Sequence, residues 1–109
     1  MENQEKQGMK LIFSYENKSC VIRVLNPKES IKFTLEKVKE EARGMPDKLW
    51  LLPEMDNGGN RIKYYLGRLS EDGKSEILKE KKNGEEQSLF DYGVKEGDKL
   101  IIIKRVIAG

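Results

Sequence analysis

"KLIIIKRVIAG", residues 99–109, closes the chain. Leu100 and Ile102 alternate with Ile101 and Ile103, so a strand here is apolar on both faces and belongs in the middle of a sheet, with Leu100 and Ile102 inward. Its neighbour has to come from elsewhere in the chain. "MKLIFSY", residues 9–15, alternates Met9, Leu11, Phe13 and Tyr15 against Lys10, Ile12 and Ser14, which predicts a strand with one buried face. "ENKS" supplies turn chemistry. "CVIRVL" then sets Cys20, Ile22 and Val24 against Val21, Arg23 and Leu25, so the two runs form a hairpin. Cys20 reads as a small core residue, since no base or cationic cluster lies near it in sequence to activate the thiol.

"NPKES" breaks the second strand, and Ser30 or Thr34 caps a helix after it. Ile31, Leu35, Val38 and Ala42 fall at helical spacing, which leaves Lys32, Glu36, Lys37, Lys39, Glu40 and Arg43 to solvent. Gly44 suits a left-handed C-cap, and Met45-Pro46 prevents continuation. "KLWLLP", residues 48–53, reads as a short strand ended by Pro53, with Leu49 and Leu51 inward and Trp50 and Leu52 outward. Residues 53–88 read as a hairpin-like excursion. It contains "EMDNGGN", a strand-like "RIKYYLGRL" in which one of Tyr64 and Tyr65 is buried, and a turn at Asp72-Gly73. "SLFDYGV" is a short helical turn or tight loop, and "KEGD" is a turn. A lone hairpin cannot bury a helix, so the last strand is expected beside the first. The result is an α+β roll, a mixed sheet with one helix across it.

Composition sets the limits of function. At 109 residues the chain is one domain that buries roughly 65% of its unfolded surface. Lys and Arg number 21 against 19 Asp and Glu, interspersed along the chain, which gives no call for nucleic acid. No apolar run reaches membrane length, and "MENQEKQG" lacks a signal-peptide centre, so a cytoplasmic monomer is expected, with residues 1–8 as a flexible arm. The chain has one cysteine and no histidine. Nucleophile–base pairs and phosphate-cradling glycine loops are also missing, which argues against an enzyme and implies no cofactor or metal.

The order of "MKLIF", a helix ending "GMP" followed by Asp47, "LWLL", "SLFDYGV" and "KLIIIKRVIAG" resembles ubiquitin and its relatives, the β-grasp proteins. The resemblance covers residues 9–52 and 88–109. The segment before residue 88 is much longer than its ubiquitin counterpart, and the arm is additional. The resemblance implies a protein modifier. Its terminal glycine, Gly109, would be adenylated, passed to an enzyme cysteine as a thioester and joined to a target amine by an isopeptide bond. The implied partners are an adenylating enzyme, a conjugating enzyme, a processing protease and target protein amines. Arg105, Val106, Ile107 and Ala108 would be the tail those enzymes recognise. Arg105 aligns with an arginine that resembles the activating-enzyme contact. Ala108 stands where ubiquitin has a glycine and Ile107 where it has a basic residue, so a dedicated enzyme is expected. The resemblance also places an apolar partner-binding patch at Leu52, Ile101 and Ile103, with Trp50 beside it. Two other readings remain: an interaction module that is never conjugated, and a sulfur carrier with a terminal thiocarboxylate. The long excursion and Ala108 count against the carrier.

Overall fold

A computed structural model describes residues 8–44, 52–70 and 72–107. In chain order these form β1 (Met9–Tyr15), β2 (Lys18–Val24), α1 (Ile31–Arg43), β3 (Arg61–Leu69), β4 (Ser75–Ile77), β5 (Lys81–Lys82), β6 (Glu85–Glu86) and β7 (Lys99–Ile107). Five strands make one mixed sheet in the order β2-β1-β7-β3-β4, and β5-β6 is a separate small hairpin. The architecture is a small α+β domain compatible with a β-grasp fold.

β1 and β2 pair antiparallel from Met9↔Val24 to Tyr15↔Lys18 around a two-residue turn at Glu16-Asn17. Glu16 sits in the left-handed region, at φ 57. The last strand lies beside the first, as expected, and runs parallel to it with Phe13 opposite Leu100. Both of those residues are fully buried. Two chain ends that meet in parallel need a long connection between them, and the helix with the intervening strands supplies it.

The partner on the other side of β7 corrects the sequence reading. Arg61–Leu69, placed within an excursion, pairs antiparallel with β7 over seven rungs, from Arg61↔Ile107 to Gly67↔Ile101. The strand expected at 48–52 falls largely on residues outside those described; Leu52, the one that is described, lies in no strand. The physical reason is length. Nine alternating residues satisfy more of the ladder of β7 than five do. β3 then returns as β4 through the turn at Asp72-Gly73, where Gly73 takes φ 86. A second tight turn, Asn83-Gly84, joins β5 to β6 with both residues at positive φ, the pairing that two-residue hairpins favour. This turn is not among those expected from the sequence.

Ser30 caps α1, its Oγ accepting from the Phe33 N–H at 3.1 Å. Thr34 is an interior helix residue whose buried hydroxyl has no hydrogen-bond partner among the described residues. At the other end Gly44 is right-handed, at φ −83, so the expected left-handed cap is not what ends the helix there. Ile31, Leu35, Val38 and Ala42 pack against the sheet as their spacing requires. Lys39 departs from the pattern, with only 7% of its surface exposed. Its stem lies on the sheet, its ammonium reaches Glu36 at 3.4 Å, and it sits 5.6 Å from the centre of the Tyr64 ring.

Two loops fix the approach to the central strands. Asp56 accepts from the N–H groups of Gly58 and Asn60, both at 2.9 Å, which folds the turn before β3. The Asn60 N–H first, then its side-chain amide, hold the Asp56 carboxyl below the usual carboxylate range. Before β7, Ser88 and Asp91 close on one another. The Asp91 carboxylate accepts from the Ser88 N–H and hydroxyl, while the Ser88 Oγ accepts from the Asp91 N–H. This turn seats the buried Leu89 and Val94.

Candidate partner-binding face

Register divides each strand into a helix-facing and a free side. Leu11↔Ile22, Phe13↔Leu100 and Leu66↔Ile102 are pairs of buried residues beneath α1. The alternate positions make the other face, which α1 does not cover. At its centre lie Ile101 and Ile103 on β7, with Tyr65 opposite Ile103 and Gly67 opposite Ile101. Ile12 and Val21, paired across β1 and β2, continue the apolar surface on one side, and Ile77, opposite Gly67, continues it on the other.

Gly67 shapes this centre. A Cβ placed there would lie 2.7 Å from both the Ile103 Cδ1 and the backbone oxygen of Glu76. Ile103, itself half-buried, therefore lies over the buried glycine. Tyr65 is held at its rim by two cations, with Lys63 Nζ at 5.2 Å and Arg105 Cζ at 5.8 Å from the ring centre. Tyr64, its neighbour, is buried and donates to the Pro53 carbonyl at 2.7 Å. The expectation that one tyrosine is buried and the other is not matches this alternation.

Of the anticipated patch, Ile101 and Ile103 are on the free face and Leu52 is not. Leu52 is 1% exposed, has φ 45, and offers its carbonyl to Arg43 Nη2 at 3.4 Å. Because it is not part of a strand, alternation does not govern its direction, and burial in the core does. Trp50 lies outside the described residues. Tyr65, Lys63 and Gly67 take the place that Leu52 was given. The alternation of "RIKYYLGRL" was the available signal for them.

The tail residues separate similarly. Arg105, Val106 and Ile107 are paired strand residues, opposite Lys63, Ile62 and Arg61, so they extend β7 and are not a free tail. Val106 and Ile107 are nevertheless 50% and 45% exposed, because β7 runs on here with β3 as its only partner. Ala108 and Gly109 lie outside the described residues.

Two other features bear on chemistry. Cys20, opposite Phe13 on the helix side, is half-buried. Burial, then the charge of Glu41, push its thiol up, so it carries little thiolate near neutral pH. A groove of about 360 Å³ runs between β2 and α1, lined by residues that include Ile22, Val24, Leu25, Phe33 and Thr34. Among the described residues, no helix is long and apolar enough to cross a membrane. Compared with models of known protein families and with curated protein sequences, the chain matches none.

Proposed function

We propose that this chain is a ubiquitin-like protein modifier, activated at Gly109 by an ATP-dependent adenylating enzyme and joined to amines of target proteins. The observation that carries the reading is the sheet order β2-β1-β7-β3-β4, with the first and last strands parallel at its centre and one helix across it. That arrangement leads the last strand out of the middle of the fold toward Ala108-Gly109. The end of β7 also suits threading into an enzyme channel. Freeing its final rungs, Ile62–Val106 and Arg61–Ile107, withdraws Val106 and Ile107, which are already about half exposed, at the cost of baring the buried Ile62. A terminal glycine leaves the carbonyl open to attack.

The test uses the full chain, tagged at its N-terminus and expressed in its native cells. Adducts of higher mass that survive reducing agent should appear with Gly109 present and vanish when it is deleted. Identical patterns from the two proteins would sink the modifier reading.

A second reading, a ubiquitin-like interaction module that is bound and never conjugated, is favoured by the apolar centre at Tyr65, Ile101 and Ile103. In that case Ile103→Asp abolishes partner capture while deletion of Gly109 leaves it unchanged.

A further inference from the structure

The sequence carries two Asn-Gly pairs, Asn57-Gly58 and Asn83-Gly84, and the fold treats them differently. In both, the glycine has no side chain to shield its backbone nitrogen from the asparagine amide beside it. The first pair is tied down. The Gly58 N–H donates to the Asp56 carboxylate at 2.9 Å, and that carboxylate also accepts from the Asn60 N–H at 2.9 Å and the Asn60 side-chain amide at 3.2 Å. The Asp56 N–H donates in turn to the Asn60 carbonyl at 2.9 Å. The second pair has none of this. Among the described residues, neither the Gly84 N–H nor the Asn83 amide has a hydrogen-bond partner, and both residues are exposed. Beyond its chain neighbours, no atom lies within 4 Å of where a Cβ on Gly84 would stand. The hairpin that holds the pair is also small. β5 and β6 meet over two rungs, Lys81↔Glu86 and Lys82↔Glu85, outside the main sheet. A two-stranded hairpin with no sheet beside it is marginally stable by itself, so its turn opens readily.

We propose that Asn83 is a site of self-modification, at which the Gly84 nitrogen closes on the asparagine side chain and converts it to isoaspartate or aspartate. The proposal is independent of the modifier reading, and its chemistry needs only water. In the opened turn the Gly84 N–H gives its proton to water or hydroxide, and the freed nitrogen attacks the Asn83 Cγ. The bond from Cγ to Nδ2 breaks. That nitrogen takes up a proton and leaves as ammonia, and a succinimide ring remains. One water then opens the ring. Attack at the former backbone carbonyl yields isoaspartate, attack at Cγ yields aspartate, and nothing is oxidised or reduced. Either product sets a carboxylate close to Glu85 and Glu86 and lowers the net charge of +2 by one. Isoaspartate also routes the main chain through Cβ. A two-residue loop closes only with its own narrow set of dihedral angles, so the added atom undoes both rungs of β5 and β6. The change stops at the base of the hairpin. There the Gln87 N–H meets the Glu80 carbonyl at 2.8 Å, and the Gln87 carbonyl accepts from the Ile31 N–H at 2.7 Å.

The experiment ages the full chain in mildly alkaline buffer, folded and unfolded in guanidinium, and follows the loss of amide at each asparagine by peptide mapping. In guanidinium both Asn-Gly pairs lose their surroundings and should react at similar rates. In the folded chain Asn83 should stay close to its unfolded rate and react about tenfold faster than Asn57, the factor expected where a charge-assisted hydrogen bond must break first. Asp56→Ala frees the Gly58 N–H and should bring Asn57 up toward the rate of Asn83. Methyl transfer by an isoaspartyl carboxyl methyltransferase should label the aged wild type and the aged Asn57→Ser variant, and leave Asn83→Ser unlabelled. Equal rates at the two pairs in the folded chain, or Asn57 reacting first, would overturn the assignment. A folded-chain rate at Asn83 about tenfold or more below its rate in guanidinium would also overturn it, because the closed turn would then be withholding the glycine nitrogen. Label that persists in Asn83→Ser would place the isoaspartate elsewhere in the chain.

Discussion

Leu100→Ala and Ile101→Ala, compared side by side, test the register on which the candidate face depends. Leu100 is completely buried between Phe13 and the core beneath α1, while Ile101 stands one residue along on the free face and is half-buried. Removing three carbons from Leu100 forfeits about 2.4 kcal/mol of transfer free energy at about 0.8 kcal/mol each. The cavity left in a packed centre, where strands on both sides hold the backbone in place, raises the loss to about 3–4 kcal/mol. That is a large part of the roughly 5–15 kcal/mol that holds a domain folded. For a chain of this length it lowers the thermal midpoint by about 12–16 °C, at about 4 °C per kcal/mol. Ile101→Ala withdraws a side chain that water already reaches and should lose about 1 kcal/mol. Guanidinium unfolding followed by circular dichroism gives both values, and an unchanged slope shows that the midpoint shift is a stability change. Equal losses, or the larger loss at Ile101, would refute the reasoning. They would mean that β7 sits one residue out of register, which turns every residue from 99 to 107 to the opposite face.

Three further outcomes follow from the geometry. Gly67→Ala forces a Cβ against the Glu76 carbonyl and displaces the Ile103 methyl, so it should destabilise the fold by about 1–3 kcal/mol and move the amide resonances of Ile103 and Glu76; a neutral effect would show that β3 and β4 are farther apart than described. Glu16→Gly relieves a left-handed backbone and should raise stability by about 0.5–1 kcal/mol in the same unfolding assay, whereas a loss would mean the Glu16 side chain has a role the turn does not reveal. Burial first, and Tyr15 second, push the Tyr64 phenol up to about 12 from its ordinary 10. Because the folded protein holds that proton more tightly, the contribution is complete below pH about 10 and lost as pH rises toward 12. The denaturation midpoint should fall across that window and fall less in Tyr64→Phe. An identical alkaline slope in the two proteins would remove Tyr64 as its cause.

The features legible before folding were local. Alternation assigned the faces of β1, β2 and β7, and it correctly set Tyr64 apart from Tyr65 without naming which was buried. Ser30, offered together with Thr34 as the cap, marked the helix start, and Asp72-Gly73 marked a hairpin turn. All of these depend on residues within a few positions of one another. Lys39 shows where that logic stops, because a lysine on the polar side of a periodic helix was assigned to water and instead lays its stem across the sheet beside Tyr64.

By itself, then, the sequence determined the helix and the strands β1, β2, β3 and β7 (but not the β5–β6 hairpin), which way their side chains alternate, and that the first and last strands belong together. Only the tertiary structure decided which strand β7 takes as its second neighbour. It chose Arg61–Leu69, and with that choice Leu52 went into the core, Tyr65 and Gly67 came up beside Ile101 and Ile103, and cations scattered through the sequence gathered on one face. The reason is physical. Alternation fixes the side of a sheet on which a residue lies, but the identity of the neighbouring strand is a long-range competition for backbone hydrogen bonds and burial, won by the longest ladder that also closes the core.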